Sequence, residues 1–476
     1  MASPVLWQNK SQTTILIDIP RSIEAAQGTP EAPCHDHLLS VTPLETPFPS
    51  NEPKSEAARA KLVGNSTDQQ LDRQYVELLR NALAETHKSY HGRWCLPRPF
   101  VQERPRAAKK RKLDTNESDD LTRSNPAQEE LPEDFLRTRA ESDRSPDPSG
   151  YKVTLHPAQG PAADNDPTST GHYLTNRNPH PATLSISTHQ TQQPLNFRLP
   201  PNTTFSLSNC STHSTPFRHS LRAQADTEGT PKHFDLILLD PPWPNRSIKR
   251  SHLTPHRSRY SVAPNLPTIT NLLYSLDLEM LMSPSCVVGV WITNKPSIRE
   301  TVLDPEEGIF AAWGVELIEE WIWGKTTAQG EPVSSLEGVW RRPYEVLLVG
   351  RRRGRGDGVG GGGGAGVGGQ GEGVGGCDGE GGRKVKRRVI LGVPDLHSRK
   401  PCLKGLVEEI LLRDHHHGHH HHDGRTGYRA LEVFARNLVA GWWSWGDECL
   451  KFNWEGYWRS GDERKTKRED EDEDET

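Results

Sequence analysis

The sequence predicts an α/β protein with a doubly wound sheet, preceded by a long leader that builds no core. Three observations carry that expectation. Eleven of the thirteen tryptophans lie at or after Trp243, so the packed part is C-terminal. There, apolar runs of strand length alternate with helical stretches. Only 33% of residues are hydrophobic, and the 38 Pro and 41 Gly concentrate in stretches that cannot form a packed core.

Residues 1–180 read as leader, largely disordered, with one exception. Between residues 67 and 87, Leu71, Tyr75, Leu78, Leu79 and Leu83 recur at helical spacing behind Ser66 and Thr67. A lone helix of that length is marginal in water, so it is expected to dock on the folded domain or on a protein partner. The block "RPRAAKKRKLD" at 104–114 is dense in cations. It suits recognition by a nuclear import receptor or loose nucleic-acid contact. "TTILIDIP" near the start is too short and too acidic for a secretory leader. Asp277 and Glu279 interrupt the most apolar window, so no membrane span is expected. Seven cysteines without a Cys-x-x-Cys pair indicate neither a disulfide framework nor a structural metal site. The expectation is a soluble nuclear protein, with the cytoplasm also open.

The folded domain is expected over 181–458. Its strands are read at "TTFSLS" (203–208), "HFDLILLD" (233–240), "SCVVGVWIT" (285–293), "VELIEEWIW" (315–323), "YEVLLVG" (344–350), "RRVILGV" (387–393) and "YRALEVF" (428–434). Helices are expected around 269–282, 297–313 and 404–412. Two insertions interrupt the pattern, a Gly-rich one at 354–382 and a His-rich one at 415–422. The glycines lack the strand–turn–helix setting of a phosphate cradle, and the histidines are not taken as a metal site. Residues 459–476 form a charged tail.

Chemistry concentrates at the end of "FDLILLDPPW". In an open α/β sheet, ligands bind outside the carboxyl ends of the strands, where Asp240, Pro241, Pro242 and Trp243 fall. The Asp240 carboxylate can accept one N–H of an exocyclic amine. A proline-stiffened turn aims a backbone carbonyl at the other. Trp243 offers a face on which a base can stack. The plain alternative is an acidic strand end followed by a rigid loop.

"DPPW" behind an apolar strand resembles the signature of amino-directed nucleic-acid methyltransferases. Together with "WITN" (291–294), "EWIWGKTT" (320–327), "RRPYEVLLVG" (341–350), "HSRKP" (397–401) and "LEVFARNL…GWWSWGDECLKF" (431–452), it resembles the MT-A-seventy family of adenine methyltransferases. The resemblance covers most of the chain from Leu199 onward, outside the two insertions. It implies a Rossmann-like, S-adenosylmethionine-dependent methyltransferase sheet with permuted motif order, the methionine-binding strand following the catalytic one. The implied reaction is methyl transfer to the N(6) amine of adenine in RNA or DNA, with Asp240 also touching the cofactor. By the same resemblance Lys400 pairs with the methionine carboxylate. Arg436 and Asn437 reach the ribose hydroxyls, and Glu432 lies close by. The backbone at Ser208 and Asn209 meets the cofactor's adenine. Asp447 and Glu448 occupy a turn where the family often has Asn, and no role is carried over to them. Relatives of this clade are associated with adenosine in small nuclear RNA and with DNA; RNA is the favoured reading.

After Trp243 the chain turns basic. Asn245, Arg246, Lys249, Arg250, Arg257 and Arg259 are placed to hold phosphates, and Tyr260 to meet a flanking base, while the target base enters the pocket. The competing function is a catalytically inactive RNA-binding subunit of a methyltransferase complex. The intact signature and Lys400 favour an enzyme.

Overall fold

The computed structural model describes residues 3–49, 69–100, 152–157, 173–187, 194–244, 263, 265–338, 342–353, 385–396, 399–412 and 427–461. The basic block at 104–114, both insertions and the acidic tail lie outside these residues.

The N-terminal elements are β1 (Val5–Gln8), β2 (Thr14–Ile17), α1 (Ile19–Ala26), β3 (His37–Leu38) and α2 (Gln69–Ser89). Next come β4 (Lys152–Pro157), β5 (Leu174–Thr175), β6 (Ala182–Ser187), β7 (Leu195–Leu199), β8 (Thr204–Ser206) and α3 (Ser214–Glu228). The central group is β9 (Phe234–Leu239), α4 (Leu266–Ser275), β10 (Met282–Ile292), α5 (Pro296–Leu303), α6 (Ile309–Ala312) and β11 (Val315–Lys325). The last are β12 (Tyr344–Arg352), β13 (Lys386–Gly392), α7 (Lys404–Ile410), β14 (Ala430–Val433), β15 (Trp443–Trp445) and β16 (Trp458–Arg459).

Eleven strands form one sheet in the order β1-β2-β13-β11-β12-β10-β9-β14-β15-β8-β5. It is mostly parallel. β12 runs against both its neighbours, and the edge strands β1 and β5 are also antiparallel. β9 lies between β10 and β14, parallel to both, although β14 comes nearly 200 residues later. Such a strand, covered on both faces, must be apolar where it is covered, and after Asp235 at its start it is. Phe234, Ile237 and Leu239 enter one core cluster, and Leu236 and Leu238 the other. Helices cover both faces. α2, α3, α4 and α5 contribute Leu79, Phe217, Leu273 and Val302 to one side, and α1 and α7 contribute Ile23 and Leu406 to the other. The doubly wound expectation holds.

The expected leader boundary does not. β1 and β2 extend the sheet beyond β13, and Ile15, Leu16 and Ile17 are at most 1% exposed. "TTILIDIP", set aside as too short for a leader, is β2 followed by the N-cap Asp18, whose carboxylate accepts the Arg21 N–H, and the start of α1. Four apolar residues carry little weight alone and become core only against β13. The N-terminal helix docks on the folded domain: Tyr75 and Leu79 are buried against the sheet. Gly324 makes room for it, since a Cβ there would lie 2.6 Å from Leu79 Cδ2. β5 and the small sheet β4-β6-β7 likewise begin before residue 181. That sheet packs Leu184 and Phe197 against Ala435, Leu438 and Cys449, in the segments that follow β14 and β15. No helix among the described residues is long and apolar enough to cross a membrane.

Candidate active site

From β9 the chain moves to β10 on one side, whereas from β14 it moves to β15 on the other. The crevice beyond the carboxyl ends of β9 and β14 is therefore the switch point at which such sheets bind ligands. Asp240 leaves β9 there, and its N–H donates to the Val433 carbonyl (3.4 Å), tying the two strand ends together. The Trp243 N–H then closes a three-residue turn onto the Pro241 carbonyl at 2.8 Å. The Ala263 N–H donates to the Pro242 carbonyl at 3.0 Å, and the Lys295 ammonium donates to that of Pro244.

Trp243 departs from expectation. Its ring is 6% exposed within the core, and its indole N–H donates to the Trp291 carbonyl at 2.7 Å. A ring sealed on its faces and committed at its N–H anchors the turn rather than offering a platform for a base.

Around Asp240 runs a row of alternating charges drawn from six strand ends. Lys400 lies 3.4 Å from one Asp240 oxygen, and Arg436 Nη1 lies 3.1 Å from the other. Each cation also meets an outer carboxylate, Lys400 that of Glu345 (2.8 Å) and Arg436 that of Glu448 (3.4 Å). Lys325 ends the row beyond Glu345, and Lys451 beyond Glu448. Burial opposes every charge here, but the lysines on either side hold Glu345 well below the usual carboxylate range. Asp240 and Glu345 likewise hold Lys400 above the usual lysine range despite its burial. Among the described residues no cation pairs with Glu432. Burial, then the neighbouring Asp240 charge, push it up to about 8.

The β14 turn explains how a segment without the usual glycines bends here. Phe434 takes the left-handed conformation (φ 58°) that glycine adopts most easily. The burden of close approach falls on Gly446 after β15, where a Cβ would lie 3.2 Å from Phe434 Cα. Arg436 thereby faces Asp240. Asn437 follows it on the same rim, its side-chain amide donating to the Leu438 carbonyl at 3.4 Å.

Ser208 and Asn209 follow β8, on the same rim three strands away. The Ser208 hydroxyl accepts the Trp445 indole N–H at 3.0 Å. The Asn209 side chain is folded into its own loop, accepting the Ser211 N–H at 2.8 Å, and its carbonyl accepts the His213 N–H at 3.0 Å. The structure thus brings Lys400, Arg436 and Glu432 to Asp240, with Asn437 next to Arg436 in the chain and Ser208 and Asn209 on the same rim. Asn245, Arg246, Lys249, Arg250, Arg257, Arg259 and Tyr260 lie outside the described residues.

Sequence reasoning missed Lys325, Glu345 and Glu448. One signal was present: Glu345 is an acid beside the apolar run of β12, inside a block already singled out.

A family model described as MT-A70 matches residues 234–361. The chain is similar to the N6-methyladenosine RNA methyltransferase MTA1 of Cryphonectria parasitica, 30% identical over 96% of this chain and 94% of that one. The MTA1 protein of Pyricularia oryzae is 28% identical over 96% of this chain and 97% of its own. The human N(6)-adenine-specific methyltransferase METTL4 is 31% identical over 46% of this chain and 38% of its own.

Proposed function

The chain belongs to the MT-A70 family, and from that premise we propose that its Asp-Pro-Pro-Trp segment prepares the N6 amine of adenine for methylation, in RNA ahead of DNA. It is an adenine-N6 nucleic-acid methyltransferase. Small nuclear RNA is the favoured acceptor, and the nucleus the site of action.

The observation that carries this reading is the Asp240 carboxylate, fixed at a strand switch point between Lys400 and Arg436. Two N–H donors orient the carboxylate and leave lone pairs directed away from them. One of these accepts an amine N–H, and a carbonyl of the proline turn accepts the other. The nitrogen lone pair is then drawn out of conjugation with the ring. Trp243, locked to Trp291, keeps the turn from relaxing.

MT-A70 methyltransferases are generally S-adenosylmethionine-dependent, and the donor set suits that molecule. A zwitterionic amino-acid end needs a cation and an anion side by side, as in Lys400, Asp240 and Glu345. A ribose diol needs a planar donor and an amide, as in Arg436 and Asn437. The Ser208–Asn209 backbone is assigned to its adenine. When bound, the cofactor supplies the methyl group. Asn245 and the cations from Arg246 to Arg259 grip phosphate, and Tyr260 meets a flanking base.

The test is transfer of labelled methyl from S-adenosylmethionine into total RNA and genomic DNA side by side, followed by nucleoside digestion. N6-methyladenosine in RNA is the expected product. Label in cytosine would overturn the adenine reading. Label in neither acceptor would favour the inactive RNA-binding subunit.

A further inference from the structure

We propose that the N-terminal segment 22–41 is a positioning element for the reaction, clamping through Asp395, Arg399 and Cys402 the loop that presents Lys400. This rests on the methyltransferase reading above, which gives Lys400 to the carboxylate of the cofactor's amino-acid end. It adds a task for a segment that composition assigned to the leader.

After β13 the chain runs through a loop to α7, and from this loop Lys400 reaches Asp240 and Glu345. Its neighbour Arg399 goes elsewhere. The side chains of Arg399 and Asp395 are both fully enclosed and pair at 2.7 Å. Arg399 Nη1 also donates to the Leu39 carbonyl at 2.6 Å, and the guanidinium lies over the rings of Phe452 and Tyr457. Asp395 in turn accepts the Val41 N–H at 3.0 Å and the Ser40 hydroxyl at 3.4 Å. The N-terminal side of this clamp is fixed in its own right. The Leu39 N–H donates to the Tyr457 carbonyl at 2.8 Å, and Leu38 pairs with Trp458. Beyond Lys400, the Cys402 N–H donates to the Ser22 hydroxyl of α1 at 3.0 Å. Both flanks of Lys400 are therefore tied to one N-terminal segment.

Sealing two charges from water costs free energy that their attraction barely recovers, so the Arg399–Asp395 pair adds little stability. What it adds is direction. A lysine is a point charge on a flexible stem, and its reach depends on where the backbone holds its Cα. The Arg399 Cα lies about 3.8 Å from that of Lys400, and its planar fork fixes orientation as well as distance. The loop is thus held in place while the ammonium stays at the crevice, its side chain 21% exposed.

A pair that served packing alone would affect every ligand alike, and the cofactor's two ends separate the cases. In the full chain, calorimetry is run with S-adenosylhomocysteine, which carries the amino-acid carboxylate, and with 5′-methylthioadenosine, which lacks it. Asp395→Asn should weaken S-adenosylhomocysteine about tenfold, the scale of one misplaced charge contact, and change 5′-methylthioadenosine less than about twofold. Ser22→Ala keeps the charge pair and suits a helix, and should weaken S-adenosylhomocysteine alone by about threefold. In a Lys400→Ala background neither change should matter further, because both act through that ammonium. Equal losses for the two ligands would overturn the proposal and leave the pair as packing. Unchanged S-adenosylhomocysteine affinity in both variants would overturn it as well. Should Asp395→Asn fail to fold, Ser22→Ala decides alone. A wild-type chain that binds neither ligand is a separate failure, which sinks the cofactor assignment and the clamp with it.

Discussion

Two carboxylates in this molecule are each held between two cations, and they serve opposite ends. Glu320, in the middle of β11, lies between Arg299 and Arg387 with its side chain 1% exposed. Asp240 lies between Lys400 and Arg436 with its side chain 17% exposed. Over Glu320 the helix α2 closes the network: Tyr75 accepts from Arg299 at 3.0 Å, and Gln74 accepts from Arg387 at 2.8 Å. Burial pushes Glu320 up, but the two arginines win and hold it below the usual carboxylate range. Among the described residues no helix closes over Asp240, and the proline turn lies there instead. The same charge pattern is mortar when sealed, and it leaves room for the proposed acceptor role when one side stays accessible. Local composition does not separate them, because both acids follow or interrupt apolar strands. Cover by α2 does.

The largest expected effect breaks the sealed member. Glu320→Ala leaves the half-buried Arg299 and Arg387 without their shared acid, and should cost ~3 kcal/mol in urea unfolding. Methyl transfer per folded molecule should hardly change. A mutant of normal stability would mean that the arginines find other partners when α2 shifts.

Breaking the accessible member should reverse the profile. Asp240→Asn removes the negative acceptor and should lower turnover ~100-fold or more, with a much smaller change in the urea midpoint. Cofactor affinity should weaken less than turnover. If both variants lost stability alike, the contrast between mortar and acceptor would fail.

A third measurement sharpens the contrast through pH. Glu432, beside Asp240 and without a cation among the described residues, titrates near 8 in the folded chain against 4.5 for the ordinary group. Between those values the folded state holds a proton that the unfolded state has lost. Stability carried by this group is therefore present below about pH 4.5, falls as pH rises, and levels off beyond about 8. Glu432→Gln should remove that part of the slope in unfolding titrations from pH 5 to 9. An identical slope in both proteins would show that the proton sits elsewhere.

The smallest effect is expected farthest from both carboxylates. Replacing residues 354–382 by a short linker between β12 and β13 changes loop-closure entropy by only ~0.6 kcal/mol per halving of length. Thermal midpoint and turnover should both stay near wild type. A collapse of cofactor affinity would bring the glycine segment into the site.

Much of the site was legible before any coordinates. An unbroken apolar run is what a strand buried on both faces requires, so the stretch 236–239 announced itself as central, and an acid at its end as rim. Lys400, Glu432, Arg436 and Asn437 came from motif blocks, and the first three meet at Asp240. Trp243 was misread because an aromatic beside a polar motif has the same local signature whether its face is open or packed. The N-terminal strands escaped because composition averaged over 180 residues hides four that become core only beside β13.

The sequence by itself determined the α/β alternation, the central strand that ends in Asp240 and the rigid acid–proline turn. These depend on periodicity and backbone chemistry within a few residues. Only the tertiary structure decided which charges share a partner. Lys325, Glu345, Lys400, Asp240, Arg436, Glu448 and Lys451 are spread over more than 200 positions of chain, and strand order together with the loop that carries Lys400 back from β13 brings them into one row. A carboxylate's role depends on what covers it and which cations reach it, and neither is encoded in its neighbours along the chain.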